Sequence, residues 1–152
     1  MVIGKEISGA NYIVQRMLNK DMPAVPNLFV PIVDVRDVAD AHIRAMTHSL
    51  AAGERFLLSN GPALPLKEIG AIIKANLGHQ GSRVPTRTIP DFVLRTFALF
   101  NAELRAFIPD LGHAKRSSNE KAKRVLGWTP RASREPIVAA ARSMIEKGLI
   151  KV

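Results

Sequence analysis

The chain has 152 residues, 47% of them hydrophobic, which suits one ordinary domain with a packed core and excludes a disordered chain. It contains no cysteine, which excludes disulfides and thiolate metal sites and fits a reducing cytoplasm. The formal net charge of +9 could indicate nucleic acid or another acidic partner. However, the basic residues are spread along the chain without interleaved aromatics, so we favour a basic surface whose acidic companion region is missing.

The first predicted element is a helix from Ser8 to Lys20. Ile13 and Met17 recur at helical spacing, and Ser8 is placed to cap the first turn. A loop that contains two prolines, 21–27, then forces the backbone into an extended path.

The middle of the chain is predicted to alternate strands and helices. Leu28 to Val33 is a short, nearly continuous apolar run, which favours a buried strand of the parallel type. A helix from Asp34 to about Leu50 follows, then a strand from Arg55 to Ser59 and a helix from Leu66 to Leu77. This order is typical of an α/β layer.

The helix that begins at Asp34 is predicted to bury one stripe. Asp34 can cap the helix, and Asp37 and Asp40 lie in its early turns, where carboxylates suit the positive helix end. His42 is therefore expected to be a satisfied core histidine rather than a base. The predicted stripe consists of Val35, Val38, Ala39, His42, Ala45 and Met46.

After His79 the chain changes character. Residues 82–88 are extended and basic, and a single helix is predicted from Pro90 to near Pro109, with four of the six phenylalanines. This helix either packs on the core or forms a wall of an apolar substrate pocket, and the two interpretations are compatible. Four charged residues in 89–108 argue against a transmembrane span. We also expect no secretory signal.

Two helices are predicted at the end of the chain. Ser117 or Ser118 caps a short helix that ends at Leu126, and a last helix runs from Glu135 to Lys147. Between them, Leu126 and Trp128 are expected to anchor a turn on the core while Gly127 permits the backbone to reverse.

Two stretches together resemble the extended short-chain dehydrogenases/reductases. Ile32–His42 is similar to a strand-to-helix pattern of that family, and Ser118–Arg131 is similar to its late S-x-x-K-A-x-x-x-L-G-W-x-P signature. Their spacing, and the Gly53–Phe56 strand between them, also match. The loop Met22–Pro26 resembles the dihydroflavonol-4-reductase-like branch of the NAD(P)-dependent epimerases and dehydratases.

The resemblance covers nearly all of the chain but only the later half of a family member. It implies a helix-rich α/β fold with two or three short strands and about six helices. A strand and helix layer (1–78) would precede a mainly helical substrate-binding part (79–152). The N-terminal Rossmann half, with its glycine-rich pyrophosphate turn, would be lacking. We therefore expect no cofactor in this chain alone and NAD or NADP in the complete enzyme.

The single tyrosine offers only a lookalike of the family's catalytic Tyr-x-x-x-Lys. Tyr12 is followed by Arg16, and arginine does not replace lysine at a shared hydrogen-bonding site. The segment Val2–Gly4 resembles the family's Val-x-Gly-Pro, which follows the catalytic lysine, so Tyr12 lies too late in the chain. No catalytic residue is therefore predicted.

The leading hypothesis is the substrate-binding portion of an NAD(P)-dependent oxidoreductase, a reductase or an epimerase/dehydratase, which is not competent alone. Its partners would be a small-molecule substrate and the missing N-terminal half. Substrate contacts are predicted at Ser8, Asn11, Tyr12 and Met22. The alternative is a non-catalytic binding or homo-oligomerisation module; nucleic-acid binding ranks last, and no membrane partner is expected.

Two other groups of side chains carry weaker predictions. The four histidines are scattered, which argues against a metal site. A basic cluster is most often a solvated face, with phosphate or an acidic partner as the less common interpretation. It comprises Lys115, Arg116, Lys121, Lys123 and Arg124.

Overall fold

The structure, a computed structural model, describes residues 9–151, and that part contains seven α-helices and two short strands. The strands pair antiparallel, Phe29 opposite Pro65 and Val30 opposite Leu64. This helix-rich α/β arrangement confirms the predicted fold class. The elements are α1 (Ala10–Leu18), β1 (Phe29–Val30), α2 (Val35–Thr47), β2 (Leu64–Pro65), α3 (Leu66–Asn76), α4 (Asp91–Ala98), α5 (Ala102–Phe107), α6 (Glu120–Leu126) and α7 (Arg134–Glu146).

The larger hydrophobic core lies between α1, α3 and α7. Helix α7 packs against both α1 and α3, and Met17, Ile73 and Met144 are fully buried among them. Gly70 of α3 allows the closest approach, because a Cβ added there would lie 2.4 Å from the carbonyl oxygen of Pro85. A side chain at this position would therefore push the neighbouring backbone away.

A smaller core is built around Trp128, which is fully buried. Helices α2 and α6 supply Ala41, Ala122 and Leu126 to it. The predicted turn after α6 is confirmed, because Gly127 adopts a left-handed conformation with φ 61° and ends the helix. The N-cap of α6 is Asn119, one residue after the predicted Ser117 or Ser118, and Ser118 accepts a hydrogen bond from the amide of Glu120 at 3.3 Å.

The two predicted strands differ from the observed structure. In Leu28–Val33 only Phe29 and Val30 join a ladder, which is antiparallel and half-buried rather than parallel and buried. Arg55–Ser59 turns Leu57 outward but forms no ladder among residues 9–151. Its end is held to the first segment by one bond, from the amide of Asn60 to the oxygen of Ile32 at 2.7 Å. An apolar pattern identifies extended backbone but does not identify a partner strand.

The predicted buried stripe of α2 is wrong for most of its residues, although Ala45 packs against the smaller core. Its side chains Val35 and Met46 are exposed, as is His42, whose Nδ1 lies 2.7 Å from the carbonyl oxygen of Val38. The helix instead turns Asp37 and Ala41 inward. The physical reason is that Asp37 finds polar partners next to Trp128, which outweigh the burial of the apolar stripe.

The single helix predicted from Pro90 to Pro109 is two helices. Asn101 interrupts it, because its side-chain oxygen accepts a hydrogen bond from the amide of Leu104 at 3.2 Å and so begins α5. Arg105 closes the break by donating to the carbonyl oxygens of Ala98 and Leu99 at 3.3 and 3.0 Å. The apolar pattern of this stretch did not indicate that Asn101, in its middle, would cap a second helix.

Candidate functional site

An apolar cavity of about 220 Å³ lies beside the larger core. It lies between α1, the segment 30–35, the start of α3 and the first half of α7. Its volume suits a small molecule or the end of a larger one. The side chains that line it are aliphatic except for Asn11 and Asp34: Ile13, Val14, Val30, Pro31, Ile32, Val33, Val35, Leu66, Ile69, Pro136, Ile137 and Ala140.

Asp34 is the charged group in the wall of this cavity, and it is buried. Arg36 donates to it from Nε and Nη2 at 2.9 and 2.7 Å, and from its backbone amide at 2.9 Å. The hydrogen bonds from the Arg36 guanidinium lower the pKa of Asp34 from 3.8 to about 2. The carboxylate is therefore a weak base whose acceptor positions serve the start of α2, as predicted for a cap, and it is poorly suited to take a proton from a substrate.

The structure brings one of the four predicted substrate residues to this cavity. Asn11 is half-buried and lies in its wall. Tyr12 is exposed, with the Arg16 guanidinium 5.9 Å from its ring centre, and Met22 packs against the larger core. Neither lines the cavity, and Ser8 lies outside the described residues.

The α7 side of the cavity was not predicted from the sequence. Pro136, Ile137 and Ala140 lie at helical spacing near the start of α7, and all three are buried. Their period predicts an inward face. It does not show that part of this face borders an open space rather than another side chain.

The two stretches that resemble a known family meet around Trp128. Trp128 donates from Nε1 to the carbonyl oxygen of Asp37 at 2.8 Å, and the amide of Arg131 donates to the Asp37 carboxylate at 2.9 Å. The Arg131 guanidinium forms an ion pair with the same carboxylate, and Arg44 donates to the carbonyl oxygen of Gly127 at 3.0 Å. We call Asp37, Arg44, Trp128 and Arg131 the Trp128 cluster. Its polar groups are occupied by one another, so it acts as a structural joint.

The four phenylalanines of α4, α5 and their connection do not enclose a pocket within the described residues. Phe92, Phe97, Phe100 and Phe107 are each more than half exposed. Their predicted packing on the core is therefore wrong for the side chains themselves. Smaller side chains, Ala98 and Leu111, are buried in this region instead.

A second, polar cavity of about 460 Å³ runs along α7 and is lined by Arg36, Arg134 and Arg142. The first guanidinium is paired with Asp34, and the second donates to the side-chain oxygen of Asn76. Glu135 and Glu146 line the same cavity. Carboxylates and arginines therefore alternate there, and the arrangement does not favour a simple anion.

The basic cluster near α6 is largely paired. Lys115 lies 2.9 Å from Asp110, Lys123 lies 3.1 Å from Glu120, and Lys121 pairs with Glu54, whose pKa it lowers. These exposed pairs support the interpretation of a solvated face. In residues 9–151 no three His, Asp or Glu side chains gather as metal ligands, and no helix of that part has the length and apolarity to cross a membrane.

Residues 9–151 do not contain a pyrophosphate site of the Rossmann type. A pyrophosphate site of the Rossmann type needs a strand, a glycine-rich turn and a helix N-terminus in sequence. In this part of the chain β2 leads directly from Pro65 into Leu66 of α3, and β1 is followed by Pro31 before the Asp34 cap. Neither turn contains glycine.

No protein-family model matches the sequence, and no curated protein matches it. Solved structures do match. The match to the crystal structure of gox2253 covers 95% of this chain and 46% of the gox2253 chain, with 23% identity and a TM-score of 0.72. Yeast methylglyoxal/isovaleraldehyde reductase Gre2 complexed with NADPH covers 87% of this chain and 39% of its own, with 22% identity and a TM-score of 0.54. Gre2 from Candida albicans in complex with NADPH covers 93% and 38%, with 21% identity and a TM-score of 0.58.

At identities of 21–23%, these matches show a shared fold alone. The chain spans less than half of the length of each matched structure. It has the fold of the C-terminal part of a short-chain-dehydrogenase-like structure.

Proposed function

We propose that this chain is the substrate-binding portion of an NAD(P)-dependent oxidoreductase and is not catalytically competent alone. One observation carries the proposal. Nearly the whole chain shares its fold with part of each matched structure, less than half of that structure's length, and two of these structures contain NADPH. The sequence motifs at Ile32–His42 and Ser118–Arg131 support the same origin. The Met22–Pro26 loop favours the dihydroflavonol-4-reductase-like branch over the sugar epimerases.

The proposed reaction of the complete enzyme is hydride transfer between the nicotinamide of NAD or NADP and a carbonyl or hydroxyl carbon. The cofactor and the acid–base pair would belong to the portion that this chain does not match. The ring of Tyr12 has the Arg16 guanidinium as its cation–π partner, at 5.9 Å, rather than the lysine that such a pair requires. We infer that this chain shapes the site for a small organic substrate and excludes water from it.

The aliphatic cavity beside Asn11 is the proposed centre of substrate binding. Asn11 supplies an amide that can orient an oxygen, and the surrounding aliphatic walls suit a hydrocarbon group. Ser8, Tyr12 and Met22 remain proposed substrate contacts. In this scheme residues 1–78 form the layer that meets the cofactor half, and 79–152 the mainly helical substrate side. We expect the enzyme to be cytoplasmic.

Titration with NADPH and NADH tests the proposal. Trp128 is the only tryptophan, so its energy transfer to the nicotinamide reports binding to this chain alone. We expect no saturable signal for the isolated chain, whereas intact yeast Gre2, run in parallel, should bind NADPH. Tight saturable binding by the isolated chain would contradict the assignment and would return Tyr12 and Arg16 to consideration as catalytic residues.

A non-catalytic oligomerisation module is the second candidate. It is favoured by the exposed phenylalanines of α4 and α5, because apolar patches of this kind drive association. Under this alternative the chain is a dimer or larger assembly without a cofactor-binding partner. Sedimentation over a hundredfold range of concentration would detect the assembly, and a monomer throughout would exclude it.

A further inference from the structure

Helices α4 and α5 and their connection, residues 91–107, form a hairpin that exposes large apolar side chains. We call it the α4–α5 hairpin. Phe100 lies in the connection between the two helices and is 88% exposed. Neither of the two cavities described above is lined by a residue of the hairpin. The hairpin is therefore an apolar projection rather than a groove. Its exposed apolar side chains are Phe92, Phe97, Leu99, Phe100 and Phe107.

Two carboxylates near these phenylalanines have partners within the protein. Asp91 accepts a hydrogen bond from the side-chain amide of Asn27 at 3.4 Å. It lies two turns before Ala98 and so on the side of α4 where Ala98 is buried. Asp110, which follows α5, lies 2.9 Å from Lys115. Neither carboxylate is therefore free to balance another positive charge of the hairpin.

Four exposed arginines of the segment 83–116 have no carboxylate within ion-pair distance among residues 9–151. They are Arg83, Arg87, Arg95 and Arg116. Arg95 lies three residues after Phe92 on α4, so the two side chains are neighbours on the surface of the helix. Across the whole segment six Lys and Arg oppose three Asp and Glu, a net charge of +3. The apolar projection is therefore accompanied by an excess of positive charge.

Two of these arginines lie in segments that meet at the start of α4. The segment that contains Arg87 runs directly into this helix. The segment that leads to Arg116 is held there by the amide of Gly112, which donates to the carbonyl oxygen of Asn27 at 2.8 Å. The side chain of Asn27 in turn donates to Asp91 in the first turn of α4. Positive charge therefore lies at the beginning of the hairpin as well as along it.

We propose that the α4–α5 hairpin docks on a membrane surface that is rich in anionic lipids. The phenylalanines would enter the boundary between headgroups and acyl chains, and the arginines would bind lipid phosphates. Interfacial binding of this kind combines apolar side chains with neighbouring Lys and Arg, and it needs no membrane-spanning helix. A fluid surface accepts an apolar projection without a complementary pocket, and its phosphates neutralise guanidinium groups. The inference goes beyond the proposed function and revises the expectation of no membrane partner.

Two other occupants suit the hairpin less well. Association of two copies through their hairpins would bring unpaired arginines together, and each copy carries a formal charge of +9. The missing N-terminal half is expected to meet the layer 1–78, whereas the hairpin belongs to the part 79–152. Anionic lipid, by contrast, complements both the apolar side chains and the charge. The cytoplasmic leaflet contains such lipids, which agrees with the expected location of the enzyme.

Sedimentation of the whole chain with lipid vesicles tests the proposal. Vesicles of phosphatidylcholine are compared with vesicles in which about a third of the lipid is phosphatidylserine. We expect binding to the anionic vesicles that is at least about tenfold stronger and that weakens as salt is added. Equal binding to both kinds of vesicle, or binding to neither, would overturn the proposal.

A pair of apolar variants tests whether the hairpin makes the contact. Phe100→Ser should weaken binding to the anionic vesicles by about fivefold or more, because a large apolar side chain no longer enters the lipid. Met46→Ser is the matched control on α2, since Met46 is 86% exposed, and it should leave the binding unchanged. Equal losses for the two variants would contradict a contact through the hairpin.

A pair of charge variants tests the role of the arginines. Arg87→Gln combined with Arg95→Gln should weaken the binding by about tenfold or more. Arg55→Gln combined with Arg124→Gln removes the same charge at two other exposed positions and should weaken it by less than about threefold. Equal losses would show that the net charge of the chain, rather than the hairpin, attracts the lipid.

A fluorophore that responds to its environment reports insertion directly, and it can be attached to a single cysteine because the chain has none of its own. Anionic vesicles should shift the emission to the blue for Phe100→Cys and not for Met46→Cys. A shift at both positions, or at 46 alone, would overturn the proposal. A shift at position 100 without vesicles, increasing with protein concentration, would assign the hairpin to a second copy and would also overturn it.

Discussion

Both the smaller core around Trp128 and the α4–α5 hairpin (residues 91–107) contain aromatic and aliphatic side chains, yet only the first buries most of them. Trp128 is fully buried, and its indole nitrogen donates to the carbonyl oxygen of Asp37 at 2.8 Å. Phe92, Phe97, Phe100 and Phe107 project outward from two short helices. The difference lies in the polar partners: the cluster joins α2, α6 and the turn after it by hydrogen bonds, whereas the hairpin's side-chain bonds mostly close its own turns.

This contrast shows that apolar content alone does not determine what a helix buries. In α2 the buried side includes a carboxylate, Asp37, while Met46 is exposed. Asp37 can be buried because a backbone amide and a guanidinium of Arg131 reach it. The following predictions test the contrast, from the largest expected effect to the smallest.

Trp128→Ala should cause the largest loss of stability. It removes a fully buried side chain and leaves the carbonyl oxygen of Asp37 without its indole donor. We expect the free energy of unfolding to fall by about 3–5 kcal/mol. Urea denaturation followed by circular dichroism would measure it. A loss below about 1 kcal/mol would mean that the cluster is not the joint between α2 and α6.

Asp34→Asn should remove a pH-dependent contribution to the free energy of unfolding while keeping a side chain that can cap α2. Because the pKa of Asp34 is lowered from 3.8 to about 2, chiefly by hydrogen bonds from the Arg36 side chain, its stabilisation is present above pH 3.8 and is lost as the pH falls through about 2. The expected loss at neutral pH is about 2 kcal/mol.

Urea denaturation of both proteins at several pH values would test this. The difference between wild type and Asp34→Asn should shrink towards zero between pH 3.8 and about 2. Asp40→Asn is the matched control, because its pair with Arg44 is exposed and should contribute less than about 0.5 kcal/mol. A difference for Asp34→Asn that did not vary with pH would contradict the assignment.

Gly127→Ala should destabilise the turn of the Trp128 cluster by about 1–2 kcal/mol, since Gly127 has φ 61° and an L side chain is strained there. Gly127→Asn should lose less, because asparagine tolerates the left-handed region. Gly148→Ala is a suitable control for the backbone term, as Gly148 has φ 64° and open space around it. Thermal denaturation of the three variants would rank them, and equal losses for Ala and Asn at 127 would disagree with a conformational origin.

Phe100→Ser should change the stability least, within about 0.5 kcal/mol, because the ring is 88% exposed. The same urea experiment measures the change. A loss of about 2 kcal/mol or more would show that the α4–α5 hairpin is packed in solution, and the comparison with the Trp128 cluster would fail.

Much of the fold could be predicted because it depends on local chemistry. The Asp34 cap, the inward face of α3 at Leu66, Ile69 and Ile73, and the reversal at Gly127 follow from residue types at fixed spacing. The rotation of α2 could not be predicted, because two apolar stripes compete and the partner that decides between them lies 91 residues away, at Trp128. One predicted substrate residue, Asn11, lies in the wall of the cavity, whose α7 wall comes from the other end of the chain.

The sequence by itself determined most of the helices, the Asp34 cap and the two stretches that resemble a known family, since these depend on neighbours within a few residues. The tertiary structure decided which faces are buried, that 55–59 forms no ladder in the described chain, and that a cavity opens between α1 and α7. The physical reason is that burial and strand pairing are properties of pairs of distant segments. Whether an apolar helix face is buried, or an extended segment forms a strand, therefore depends on the distant segment that packs or pairs with it.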